Sequence, residues 1–114
     1  MTAGLFAGLA VSDYQRALTW YERLPGSEPA FFPNATKAVR ELAGHRYLYI
    51  EELPERAGHA LHTVFAGDLD ERVESIGARG IEPASQATYG NGVRKVIYRD
   101  PDGNEIGFGG APLE

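Results

Sequence analysis

Cysteine is absent from the 114 residues, which excludes disulfides, a thiolate nucleophile and a thiolate metal site. A basic run is absent too. The 11 Lys and Arg and the 16 Asp and Glu are scattered, and the formal net charge is -5, so neither nucleic acid nor an anionic membrane surface is expected as a partner. Histidine is scarce, with His45, His59 and His62 as the three copies. The apolar opening, residues 1–11, has no basic region, is too short to span a bilayer and runs straight into a helix signal. No signal peptide and, by default, a cytoplasmic location are therefore expected. No serine sits in a Gly-x-Ser-x-Gly elbow. Tyr89-Gly90-Asn91-Gly92 is glycine-rich, yet no helix follows to aim amides at a phosphate, so it reads as a loop.

What is present fits one folded domain over residues 1–114, with 43% hydrophobic and 24% charged residues. Leu5–Val11 reads as a strand. Ser12 or Asp13 caps a helix, Ser12 with Gln15 fits a capping box, and Tyr14, Ala17, Leu18 and Tyr21 follow helical spacing. Leu24-Pro25-Gly26 ends it. Residues 30–32, 37–42 and 47–52 read as short strands separated by Pro33-Asn34 and Gly44, and residues 52–58 as a loop. The pattern then starts again. Residues 61–66 read as a strand, Asp68 and Glu71 repeat the cap spacing, Leu69, Val73 and Ile76 share a helix face, and Arg79-Gly80 stops it. Residues 83–88, 93–99 and 105–109 follow as strands. Gly80-Ile81-Glu82-Pro83 falls in step with Gly26-Ser27-Glu28-Pro29 at the helix exits. The expected architecture is thus α+β: two βαβββ modules (about 1–53 and about 60–114, linker 54–59) with antiparallel-type curved sheets forming a half-open cup.

Strand alternation assigns faces. Ala7, Leu9 and Val11 suit the helix side, leaving Phe6, Gly8 and Ala10 inward. Leu61, Thr63 and Phe65 take the matching inward positions, with His62 on the helix side. Leu48, Ile50, Ile106 and Phe108 read as core, which turns Tyr47, Tyr49, Glu51, Glu105, Gly107 and Gly109 into the cup. The face of residues 93–99 stays open, because Arg94, Lys95 and Arg99 alternate around that strand.

Between the last two strands lies Asp100-Pro101-Asp102-Gly103-Asn104, a tight hairpin turn in which Pro101 presets φ and Gly103 supplies φ > 0. Together with Val11-Ser12-Asp13 and Trp20-Tyr21, and with Gly67-Asp68-Leu69-Asp70 and Ala78-Arg79-Gly80-Ile81, this turn resembles the vicinal oxygen chelate superfamily. That is the family of glyoxalase I, the bleomycin-resistance proteins and the extradiol dioxygenases. The resemblance implies the glyoxalase/bleomycin-resistance fold and places the metal ligands of metal-dependent members at Phe6, near Tyr49, at Leu61 and at Gly107. None of the four is an ordinary ligand for a hard or borderline cation, so no metal and no cofactor is expected. A displaced site would need Glu51, Glu105 and a histidine.

The expected function is a metal-independent small-molecule-binding protein of the glyoxalase/bleomycin-resistance type that sequesters an aromatic or antibiotic-like ligand. Its ligand residues are expected to be Phe6, Tyr47, Tyr49, Leu61, Phe65, Glu105 and Gly107. Flat rings suit stacking on a planar ligand, and Trp20, Phe31 and Phe32 are further aromatic candidates. The resemblance also implies a homodimer. The alternative is a lyase, isomerase or dioxygenase-like enzyme acting on a small carbonyl or aromatic substrate, with Glu105 or Glu51 as general base.

Overall fold

Asp13 opens the first helix by accepting a hydrogen bond from the Arg16 amide at 3.1 Å, and the Glu52 carboxylate takes the Tyr14 amide, also at 3.1 Å. The Ser12–Gln15 capping box does not form, because Ser12 turns its amide and its hydroxyl to Asp102 instead. In a computed structural model describing residues 3–111, strand β1 (Leu5–Val11) leads into helix α1 (Tyr14–Arg23), followed by β2 (Phe31–Asn34), β3 (Lys37–Ala43) and β4 (Arg46–Glu52). A short 3-10 turn at Pro54–Arg56 precedes β5 (Leu61–Phe65), α2 (Leu69–Ala78), β6 (Ser85–Thr88), β7 (Arg94–Arg99) and β8 (Glu105–Gly110). Pro33 and Asn34, expected between strands, belong to β2, at the sheet edge where a missing amide costs no ladder bond. At the second helix the cap expected of Asp68 is not made. Its side chain pairs with Arg72 one turn on, at 3.3 Å.

The strands form two four-stranded sheets, ordered β1-β4-β3-β2 and β5-β8-β7-β6, each mixing one parallel pair (β1 with β4, β5 with β8) with antiparallel neighbours. This is the doubled βαβββ arrangement. Tyr14, Ala17 and Tyr21 of α1 and Leu69 and Ile76 of α2 are buried against Leu9, Val11, Leu48 and Ile50 of the first sheet and Val96, Tyr98, Ile106 and Phe108 of the second. The helices thus cover one side of both sheets in one continuous core. Among the described residues no helix is long and apolar enough to cross a membrane.

Among the described residues no backbone ladder joins the two sheets. Side chains do. Asp100 and Asn104, the ends of the last turn, are buried. The Asp100 carboxylate accepts from the Asp102 amide (2.9 Å), the Asn104 amide (2.8 Å), the Tyr21 hydroxyl (2.8 Å) and the Asn104 side-chain amide (2.8 Å). Asn104 also donates to the Ala10 carbonyl at 2.8 Å and accepts from the Ala60 amide at 2.9 Å. His62 reaches the Gly8 carbonyl at 2.8 Å, so its Nε2 carries the proton there. The free edge of β1 is therefore occupied by two side chains from the second module. At the far end of the core the Arg79 guanidinium donates to the Arg23 and Leu24 carbonyls, a cation on the negative end of α1.

Two buried phenols give this core an alkaline limit. Burial, and then the adjoining Asp100 carboxylate, drive the Tyr21 phenol far above the ordinary tyrosine range; burial raises Tyr98 as well, and its hydroxyl has no hydrogen-bond partner among the described residues. Each folded value lies above the unfolded one, so the unfolded chain ionises first. Stability from these groups is complete below about pH 10 and falls above it, with a limiting slope of about 1.4 kcal/mol per pH unit for Tyr21 and a smaller total loss from Tyr98. Urea unfolding between pH 9 and pH 11.5 is expected to show this decline, with a shallower slope in Tyr21→Phe and in Tyr98→Phe. Equal slopes in all three proteins would refute the assignment.

Candidate ligand-binding cup

Residues facing each other across neighbouring strands share a face, so the register defines the surface away from the helices. In the first sheet Phe6, Gly8 and Ala10 lie opposite Tyr47, Tyr49 and Glu51, which in turn oppose Glu41, Val39 and Lys37. In the second sheet Leu61, Thr63 and Phe65 lie opposite Glu105, Gly107 and Gly109. Beyond these come Arg99, Ile97 and Lys95. The inward assignments made for Phe6, Tyr47, Tyr49, Glu51, Leu61, Phe65, Glu105 and Gly107 therefore fall on one side of their sheets. The open question about β7 resolves: Arg94, Val96 and Tyr98 face the helices, and Lys95, Ile97 and Arg99 face the cup. Sequence alone could not settle it, because a charge sits on the core face (Arg94) and an aliphatic on the other (Ile97).

Phe6 and Tyr47 stack with ring centres 4.4 Å apart and planes 12° off parallel. Tyr49 lies across Gly8, so close that a Cβ there would overlap its ring, and the Lys37 ammonium stands 4.5 Å from the centre of that ring. Lys37 also pairs with Glu51 at 3.9 Å, and Arg99 with Glu105 at 3.0 Å. Both carboxylates considered as general bases thus meet a cation, Glu51 through Lys37 and Glu105 through Arg99. Leu61 and Phe65 are 68% and 70% exposed and Phe6 is 49% exposed, so in a single chain this face is open to solvent. Trp20 lies outside the cup: it sits on α1, edge-on to Tyr21 and against the core. Phe31 opposes Val39 on the cup side of the edge strand. A cavity of about 200 Å³ lies elsewhere, between α2 and the β6–β7 edge, beside the Asp70–Arg94 ion pair. Arg94 holds the Asp70 carboxyl below the usual carboxylate range through that contact.

A family model, the Glyoxalase/Bleomycin resistance protein/Dioxygenase superfamily, matches residues 5–108. The chain belongs to this superfamily. Among solved structures, a glyoxalase/bleomycin resistance protein from Catenulispora acidiphila DSM 44928 is 53% identical, with 97% of this chain and all of that chain covered (100%) and a TM-score of 0.94. A bleomycin-binding protein complexed with bleomycin shares the fold at 20% identity, covering 99% and 100% of the two chains with a TM-score of 0.77. Lactoylglutathione lyase from Agrobacterium tumefaciens does so at 21% identity, covering 96% and 94%, with a TM-score of 0.73. A search of curated protein sequences gave no match.

The superfamily includes metal-dependent members, which makes the donor set of this chain decisive. Phe6, Leu61 and Gly107 offer no side-chain donor atom, and Tyr49 has a lysine ammonium over its ring. A Cβ on Gly107 would come within 2.6 Å of Lys95 Cε, so a cation-bearing side chain already fills that place. Among the described residues no three His, Cys, Asp or Glu side chains group to hold an ion. The displaced set is not assembled either: Glu51 and Glu105 have cationic partners, and His62 is turned to a carbonyl. These residues do not fit a divalent metal.

Proposed function

We propose that this superfamily member is a metal-independent small-molecule-binding protein that holds an aromatic ligand in the cup, as a cytoplasmic homodimer. The observation carrying this reading is the stacked Phe6–Tyr47 pair on a half-open face that also exposes Leu61 and Phe65. A planar ligand laid on such rings gains about 0.5–1.5 kcal/mol per aromatic pair beyond the apolar area it buries. Tyr49, Glu105 and Gly107 complete the proposed ligand surface, Gly107 by leaving room for the Lys95 stem and not by contact of its own. The bound antibiotic of the bleomycin-binding relative supports sequestration as the mode of action. The dimer is supported by the exposed apolar residues and by the outer edge strands β2 and β6, which have no ladder partner on their far side among the described residues.

Native mass spectrometry of protein purified without chelator is expected to give a dimer with no stoichiometric divalent metal. A monomer carrying one such ion per chain would overturn the proposal. Tyr47→Ala is expected to weaken binding of a neutral flat probe such as 1-naphthol roughly tenfold or more, the loss of one stacking surface. Its melting temperature should move little, because this ring lies outside the core. Unchanged affinity by titration calorimetry would remove the stacked pair from the site.

A further inference from the structure

The cations on the cup face are paired off with one exception, and the one unpaired carboxylate there, Glu41, lies on the other sheet. Lys37 meets Glu51 and Arg99 meets Glu105, but Lys95 enters no ion pair and no hydrogen bond among the described residues. Its stem runs across Gly107, with Cε at 2.6 Å and Nζ at 3.5 Å from the point a Cβ would occupy; the Thr63 hydroxyl is 3.6 Å from the same point. Gly109, next along the strand on this face, carries no side chain either and lies under the Phe65 ring at 3.8 Å. A shelf bare of side chains thus presents one ammonium and one hydroxyl, between the exposed apolar groups of Leu61 and Phe65.

We propose that Lys95 is the anchoring cation of the cup, and that the ligand it takes is a monocarboxylate on an aromatic body; the inference rests on the ligand-binding reading above. The ammonium and the Thr63 hydroxyl supply donors for the two carboxylate oxygens, a charge-assisted contact that is the stronger for its apolar flanks. The aromatic body lies along Leu61 and Phe65. One unpaired cation on this face, in a chain of formal net charge -5, matches a single negative charge and disfavours a phosphate, which would need several. The same ammonium repels cationic ligands, so Lys95 sets specificity as well as affinity.

Matched probe pairs test this: benzoate with benzamide, 1-naphthoate with 1-naphthamide, and indole-3-acetate with indole-3-acetamide. Each is titrated into the full chain by calorimetry and followed by amide NMR. The carboxylate of a pair is expected to bind at least tenfold more tightly than its amide and to shift the signals of Thr63, Lys95 and Gly107. Lys95→Met keeps the stem over Gly107 and is expected to weaken the carboxylate at least tenfold and its amide by far less, so that the preference within each pair disappears. Lys95→Arg is expected to retain the preference. Carboxylate and amide binding alike on the cup face, or a preference surviving in Lys95→Met, would overturn the anchor while leaving aromatic binding in place. Absence of any cup-face shift with all six probes at millimolar concentration would overturn both.

Discussion

Replacing Asp100 with alanine is expected to destabilise the protein by about 3–5 kcal/mol, a fall of roughly 10–20 °C in melting temperature for a domain of this size. The carboxylate accepts four hydrogen bonds, from the backbone of its own turn, from Asn104 and from Tyr21 of the first module. Its removal leaves those donors buried and unanswered, a penalty of about 1–3 kcal/mol for each that water cannot reach. Tyr21→Phe takes away one of the four bonds and is expected to cost about 1–2 kcal/mol. Asn104→Asp is the sharper companion. It preserves shape but turns a donor to both Asp100 and the Ala10 carbonyl into an acceptor, and sets two carboxylates against each other. Its cost is expected to approach that of Asp100→Ala. Thermal unfolding followed by circular dichroism checks all three; a shift of less than about 3 °C for Asp100→Ala would mean that the modules are held together by packing alone.

Gly58→Ala is expected to be nearly as damaging, by about 2–4 kcal/mol. Gly58 has φ of 89°, in the left-handed region that disfavours any Cβ, and a Cβ there would overlap the Asp102 carbonyl oxygen. Gly80 is its control. It has φ of 93° with nothing within 4 Å of an added Cβ, so Gly80→Ala is expected to cost only the backbone term, about 1 kcal/mol. Chemical unfolding of both variants separates the two contributions. Equal losses would show that the close approach of the linker to the last turn is readily relaxed.

The doubled module and the two faces of most strands were legible in the sequence because both are local and periodic. Leu9, Val11, Ile50, Ile106 and Phe108 alternate with their inward neighbours, and nothing distant is needed to read them. The joint between modules was not legible. Its bonds link Ser12 to Asp102, Tyr21 to Asp100, Ala10 to Asn104 and Ala60 to Asn104, and no spacing rule connects residues so far apart in the chain. The turn residues looked sufficient for a turn, which hid their second task. Asp13 against Ser12 as the cap was equally undecidable, since the competing partner of Ser12 lies in the other module. In the cup, the inward residues were readable one strand at a time. What was not readable was which side chain lies over which glycine, because that follows from the pairing register and the reach of each side chain: Tyr49 over Gly8, Phe65 beside Gly109, and Lys95, paired with Gly109, reaching diagonally over Gly107.

Those three coverings have a consequence for how such a protein diversifies. The relief of the cup floor is made by side chains borrowed from the adjoining strand or lying just across it, over backbone that contributes no bulk itself. A substitution at 49, 65 or 95 recontours the floor and uncovers peptide surface for a new ligand, while the glycines and the hydrogen-bonded frame beneath remain as they were. Under the ligand-binding function proposed above, ligand preference is in this way separable from folding, and what the cup captures can change one side chain at a time.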